Sequence, residues 1–156
     1  MFGDAVANAT NPRGYCADFG EAQQFLETHI DNWLKRGLDV WAISLNEAPD
    51  EVIGFGGLGM RVFEGGVRLN LGYGLINAAW GRGLGKELAA ASVEVARQHR
   101  LADTLWARVA SDNTSSRKIL EAIGMQRDAS PESDSEILYS LSLCLASCPA
   151  PRTIRD

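Results

Sequence analysis

Ala79-Trp80-Gly81-Arg82-Gly83-Leu84-Gly85-Lys86-Glu87-Leu88 sets three alternating glycines ahead of an amphipathic run. A glycine-rich turn at a helix start exposes several main-chain N–H groups, and the helix dipole adds positive potential there. Glycine lets a phosphate approach the main chain with no Cβ in the way. Arg82 and Lys86 place positive charge at the rim. The stretch therefore reads as an anion site at the start of a helix.

Two familiar phosphate loops do not fit. A P-loop needs Gly-x-x-x-x-Gly-Lys-Ser/Thr. Here Gly85-Lys86 is followed by Glu87, and Trp80 stands where the first glycine is required. A dinucleotide fingerprint needs Gly-x-Gly-x-x-Gly, but the third position is Lys86. No strand–helix–strand unit opens the chain, as that fold demands.

Outward from the loop, the period of the apolar residues assigns the elements. Downstream, residues 85–100 read as a helix with Leu84, Leu88, Ala91 and Val95 in a stripe. Residues 104–110 read as a strand, 115–123 as a short helix ended by Gly124, and 135–146 as a last strand. Upstream, Asp18 and Glu21 form a capping box. The helix they open carries Ala22, Phe25, Leu26, His29, Ile30, Trp33 and Leu34 on one face and closes at Gly37. Residues 40–45, 52–63 and 67–76 read as three strands, the last two joined by a tight turn at Glu64-Gly65-Gly66. The glycines at 54, 56, 57 and 59 point to bulges or close backbone approach. Residues 1–17 read as loop, on the turn chemistry of Asn11-Pro12-Arg13-Gly14. An antiparallel meander followed by a strand–helix–strand unit predicts an α/β (α+β) mixed sheet with helices packed on it.

Composition bounds the partners. The 156 residues fit one domain, read as 1–146 with a flexible tail at 147–156. A formal charge of -5 argues against nucleic acid, which needs a basic face. No apolar run approaches the roughly 20 residues that span a bilayer, and the start does not read as a secretory signal. Three cysteines, Cys16, Cys144 and Cys148, with no paired spacing, point to a reducing cytoplasm. The C-x3-C pair with only two histidines is a poor metal site, so no metal is expected.

Two motifs together resemble one family. Trp80 to Gly85 is similar to the acetyl-CoA loop Q/R-x-x-G-x-G/A of the GNAT N-acetyltransferases, with Trp80 where Gln or Arg is usual. Trp-Gly-x-Gly and the preceding Leu71-Gly72-Tyr73-Gly74-Leu75 look like the branch of ribosomal-protein alanine acetyltransferases. Asn113-Thr114-Ser115-Ser116 through Gly124-Met125 resembles the family's second segment, N-x-x-S through G-F, with Met125 replacing Phe. The resemblance covers residues 18–145 in the family's element order.

It implies the GNAT fold and acetyl-CoA as cosubstrate, held in a gap between strands 67–76 and 104–110. The main chain of Leu75 and Ile76 would pair with the pantetheine amides, and the N–H groups of Arg82, Gly83, Leu84, Gly85 and Lys86 would hold the pyrophosphate. Asn113 and Ser116 would contact the cofactor, although Asn is also a favoured helix cap. The implied reaction is direct attack by a primary amine (a protein N-terminus, an amino acid or a small amine) on the thioester. The chain departs from the pattern at the proton-transfer positions. Asn70 stands in the region of the usual Glu base and can only orient a water, and Leu120 stands where a Tyr acid is usual. Tyr73 and Tyr139 read as core. A catalytically degenerate acyl-CoA-binding module is the alternative. The acceptor region would include residues 11–19 and the helix bearing His29 and Trp33. Family members begin with a strand that this chain lacks, and Phe2 to Val6 resembles the end of the first helix. The expectation is either a domain short by its first strand, with a sheet edge open to a partner chain, a homodimer included, or a start that lies inside a longer reading frame.

Overall fold

The computed structural model describes residues 18–128 and 135–144. The readings of residues 1–17 as loop, of Phe2 to Val6 as a helix remnant, of an absent first strand, of Cys16 and Cys148, and of the 147–156 tail lie outside the described residues. The first described element is α1, Phe19–Arg36. Asp18 caps it by accepting the Glu21 N–H at 2.9 Å. Gly37, at φ 65°, ends it in the left-handed region and donates to the Trp33 carbonyl.

Three antiparallel strands follow: β1 (Val40–Leu45), β2 (Ala48–Phe63) and β3 (Gly66–Leu75). β2 starts before Val52. Ala48 already pairs with Leu45 while Ser44 pairs with Val52, so Pro49 sits in a bulge, where a missing N–H does no harm. The close approach expected of the β2 glycines is real. A Cβ on Gly54 would stand 2.5 Å from the Gly74 carbonyl oxygen, and one on Gly56 2.5 Å from the Tyr73 Cβ.

A 3-10 turn at Asn77–Ala79 leads through the glycine loop to α2 (Leu84–Gln98), then β4 (Thr104–Ala110), α3 (Thr114–Ala122), β5 (Gln126–Arg127) and β6 (Glu136–Ser142). Among the described residues the sheet has six strands in the order β1-β2-β3-β4-β6-β5, and only the central pair, β3 with β4, is parallel. This is the mixed α/β sheet that the change of period predicts, with the two-residue β5 added at one edge.

Two expected faces differ in the structure. α2 buries Ala89, Ser92, Val93 and Ala96, and Ala91 is exposed. Small side chains win that face because they let the helix lie close on the sheet. Leu58, Leu69 and Leu71 fill the space beneath, with Leu120 from α3. α1 buries only His29 and adds no residue to the core; Leu26, Ile30 and Leu34 are exposed. Polar contacts tie it to the sheet instead: Trp33 Nε1 donates to the Val40 carbonyl, and Asn32 donates to Asp39.

Candidate functional site

β3 and β4 share a single register pair, Asn70 with Trp106. Beyond that pair, residues 71–75 and 107–110 border a cleft of ≈ 820 Å³. Gly81, the segment 83–86 and the start of α3 border its other end. Two parallel strands that part in this way leave main-chain groups without a ladder partner.

The register says which groups these are. Alternate residues of an antiparallel strand turn their main chain toward and away from the neighbour. Ile76 N–H donates to the Ile53 carbonyl at 2.9 Å, which sets the phase. Leu75 and Tyr73 therefore turn their main chains away from β2, toward the cleft. Ile76 does not border the cleft, and its carbonyl also accepts from Ala79 N–H. Trp80 Nε1 donates to the Leu75 carbonyl at 2.9 Å and pins the loop to the strand end. Of Leu75 and Ile76, both named from the sequence, Leu75 turns its main chain toward the cleft and Ile76 toward β2, with Tyr73 on the same side as Leu75.

Gly81 (φ 71°) and Gly83 (φ 80°) are both left-handed, and among the described residues no atom beyond the adjoining residues lies within 4 Å of where a Cβ would stand. No side chain caps α2. Among the described residues the N–H groups of Gly83, Leu84 and Gly85 meet no acceptor, whereas those of Lys86 and Glu87 bond to the Gly83 carbonyl. Lys86 borders the cleft; Arg82 does not, its guanidinium lying 3.7 Å from Glu47. Asn113 caps α3 by accepting the Ser116 N–H at 3.0 Å, and both residues border the cleft. Burial pushes the Tyr73 phenol above its usual value, an effect that Ser116 beside it opposes. Tyr139 is a core residue whose hydroxyl donates to Glu121. Leu120 and Asn70 both border the cleft.

The α1 side of the same cleft holds a polar cluster that the sequence does not reveal. Phe25, His29 and Arg61 border the cleft, and Asp39 lies behind them, 1% exposed. Asp39 Oδ1 accepts the Val40 N–H at 2.7 Å, with Arg61 Nη2 at 3.2 Å and His29 Nδ1 at 2.9 Å. Burial raises the Asp39 carboxyl, but the Val40 N–H, the Asn32 amide, the Arg61 charge and His29 outweigh it and hold it below its ordinary value. The only forewarning in the sequence is an acidic residue entering an apolar strand. Among the described residues no three His, Cys, Asp or Glu side chains cluster as a metal site would require.

An open seam between parallel strands therefore leads to N–H groups at a helix start that meet no acceptor among the described residues. The profile of the acetyltransferase (GNAT) domain family matches residues 4–126, and the chain belongs to that family. No curated protein sequence matches it. Solved structures share its fold. An acetyltransferase from Agrobacterium tumefaciens is 25% identical, with a TM-score of 0.74 over 90% of this chain and 80% of that one. A ribosomal-protein-S5-alanine acetyltransferase from Vibrio fischeri is 15% identical, with a TM-score of 0.68 over 91% and 85%. The putative acetyltransferase yncA from Salmonella typhimurium, solved with its cofactor acetyl-CoA, is 21% identical, with a TM-score of 0.63 over 83% and 78%.

Proposed function

We propose that this chain transfers an acetyl group from acetyl-CoA to a primary amine by direct attack in a ternary complex. The observation that carries the reading is the cleft between β3 and β4, running from Asn70 to the uncapped start of α2. Residues fit the ligand at both ends. The open space over Gly81 and Gly83 would serve as the ligand's cradle, and the main chains of Tyr73 and Leu75, turned away from β2, support pairing with a ligand amide. The Salmonella neighbour's cofactor supports the same choice. When bound, acetyl-CoA supplies an activated thioester.

The chain's own residues divide the work. Gly83, Leu84 and Gly85 offer N–H groups to the pyrophosphate, and Lys86 adds charge. Leu75 and Tyr73 align the pantetheine arm, with Ser116 and the capping Asn113 on the facing wall. Asn70 orients the acceptor or a water where the strands part. We read residues 1–146 as one domain acting in the cytoplasm on a protein N-terminus, an amino acid or a small amine. Among the described residues no helix is long and apolar enough to cross a membrane.

Titration calorimetry with acetyl-CoA, then thiol release with an amine panel, tests the reading. Binding with no release across the panel would instead support an acyl-CoA-binding module. Asn70 and Leu120 favour that second reading, because neither side chain on the cleft wall exchanges a proton at neutral pH.

Two substitutions probe the two ends. Gly83→Ala puts a methyl into the cradle at φ 80°, where an L residue is strained by about 1 kcal/mol. The expected result is a melting temperature lower by only a few degrees, with acetyl-CoA affinity weakened at least about tenfold, since one lost charge-assisted bond is worth about 1.5–3 kcal/mol. Unchanged affinity would remove the loop from the site. Asn70→Ala forfeits one neutral hydrogen bond, so turnover should fall about 3- to 10-fold. Turnover equal to that of the unsubstituted protein would leave Asn70 an ordinary strand residue.

A further inference from the structure

We propose that His29 is the base that takes the acceptor amine's proton, with Asp39 as its positioning residue; this rests on the acetyl-transfer reading above. His29 is 6% exposed, borders the cleft, and has an Nε2 with no hydrogen-bond partner among the described residues. A buried ring nitrogen left unpaired costs stability, so a purely structural histidine would be expected to satisfy it. Its other nitrogen, Nδ1, lies 2.9 Å from Asp39 Oδ1, at ion-pair distance but without the alignment of a hydrogen bond. That carboxylate is held by the Val40 N–H, Asn32 and Arg61. A carboxylate at Nδ1 keeps the ring proton there and leaves the Nε2 lone pair to accept another. The Phe25 ring, edge-on at 4.3 Å between centroids, fixes the imidazole from the helix side.

Placement agrees with this role. His29 shares the α1-side wall of the cleft with Asn70, where β3 and β4 begin to part. Asn70 precedes the end of β3 by five residues, about 17 Å of strand, so this wall is remote from the anion-binding loop. It lies at the reacting end of a ligand whose phosphates sit on α2. The charged groups facing His29 are Asp39 at the entry to β1 and Arg61 on β2.

In the step, the amine nitrogen forms a bond to the acetyl carbon as the carbon–sulfur bond breaks. The electron pair leaves on sulfur, and the proton shed by nitrogen passes to His29 Nε2. The resulting imidazolium is balanced by Asp39 and returns its proton to solvent before the next turnover.

Nitrogen-15 imidazole spectra of the unsubstituted protein near neutral pH read the tautomer without any turnover. The expected result is a protonated Nδ1 and a bare Nε2 on His29; a protonated Nε2 overturns the proposal. His29→Gln, with acetyl-CoA and an alanine-initiated peptide, should bind acetyl-CoA as the unsubstituted protein does but turn over about 100-fold slower or worse. Added imidazole should restore part of the rate in His29→Ala. A Gln variant with undiminished turnover overturns the base. An unsubstituted protein that does not bind acetyl-CoA overturns the acetyl-transfer reading, and the base falls with it.

Discussion

Gly56→Ala is expected to destabilise the fold by about 3 kcal/mol, the upper end of the usual cost of overpacking, whereas Gly72→Ala should cost well under half of that. Both glycines lie in the β2–β3 ladder, paired with Tyr73 and Gly57 respectively. A methyl at 56 would stand 2.5 Å from Tyr73 Cβ, 2.9 Å from Tyr73 Cα and 2.7 Å from Leu88 Cδ2. Two of these atoms belong to or adjoin main chain, so β3 itself must move. The third is the far end of the Leu88 side chain on α2, which a rotation can move, so the cost falls on β3. A methyl at 72 meets only the Asn70 amide nitrogen, at 3.3 Å, which a side-chain rotation relieves. Urea melts of the two variants decide the matter. Equal costs would mean that the β2 glycines are not there for close approach. Gly56→Ala should also weaken acetyl-CoA binding through the displaced main chain of Tyr73, which separates a packing effect at the site from a uniform loss of stability.

That contrast shows what the sequence made legible and what it did not. The caps of α1, the bounds of β4 and the glycine loop are written in local chemistry: an Asp three residues before a Glu, a run of β-formers, glycines that must turn left-handed. These survive folding unchanged because neighbours along the chain decide them. Hydrophobic stripes are less informative, since apolar content does not say how closely a helix lies on its sheet. Leu84, Leu88, Ala91 and Val95 made the more hydrophobic stripe of α2, yet Ala89, Ser92, Val93 and Ala96 are its buried face because they are small. The same limit hid the α1 side of the site. His29 is one of several residues on an apolar helix face, and nothing in the sequence says that its neighbours Leu26 and Ile30 stay exposed while it is buried. Arg61 is 22 positions from Asp39, and only the β1–β2 pairing brings the two together. The parallel pairing of β3 with β4 was legible from the strand–helix–strand unit, but the use of the seam between them as a cofactor gap came only from the resemblance to the GNAT family. Which main chains face the seam depends on ladder phase, which only the Ile76–Ile53 bond supplies.

Asp39→Ala should be the most damaging single change on the α1 side, costing about 3–5 kcal/mol, because breaking a buried ion pair from one side strands its partner. The Arg61 guanidinium would lose its counter-charge, and the Val40 N–H and Asn32 amide would lose their acceptor. In a domain of this size that loss lowers the melting temperature by roughly 10 °C. It should also loosen α1, which has no residue in the core to hold it. Amide exchange in α1 should therefore rise further than in α2. Asp39→Asn keeps the shape and one acceptor oxygen but removes the charge, and it isolates the electrostatic part through pH. The Asp39 carboxyl is held below its ordinary value of 3.8 in the folded chain. A depressed carboxylate contributes stability that is fully present above the unfolded-state value and is lost as pH falls through the folded-state value. The stability gap between the unsubstituted protein and Asp39→Asn should accordingly close progressively as pH falls below about 4. Denaturant melts at several pH values measure that gap. A gap that does not change on acidification would mean that the charge of Asp39 contributes nothing and that its geometry alone fixes α1 and the His29 ring.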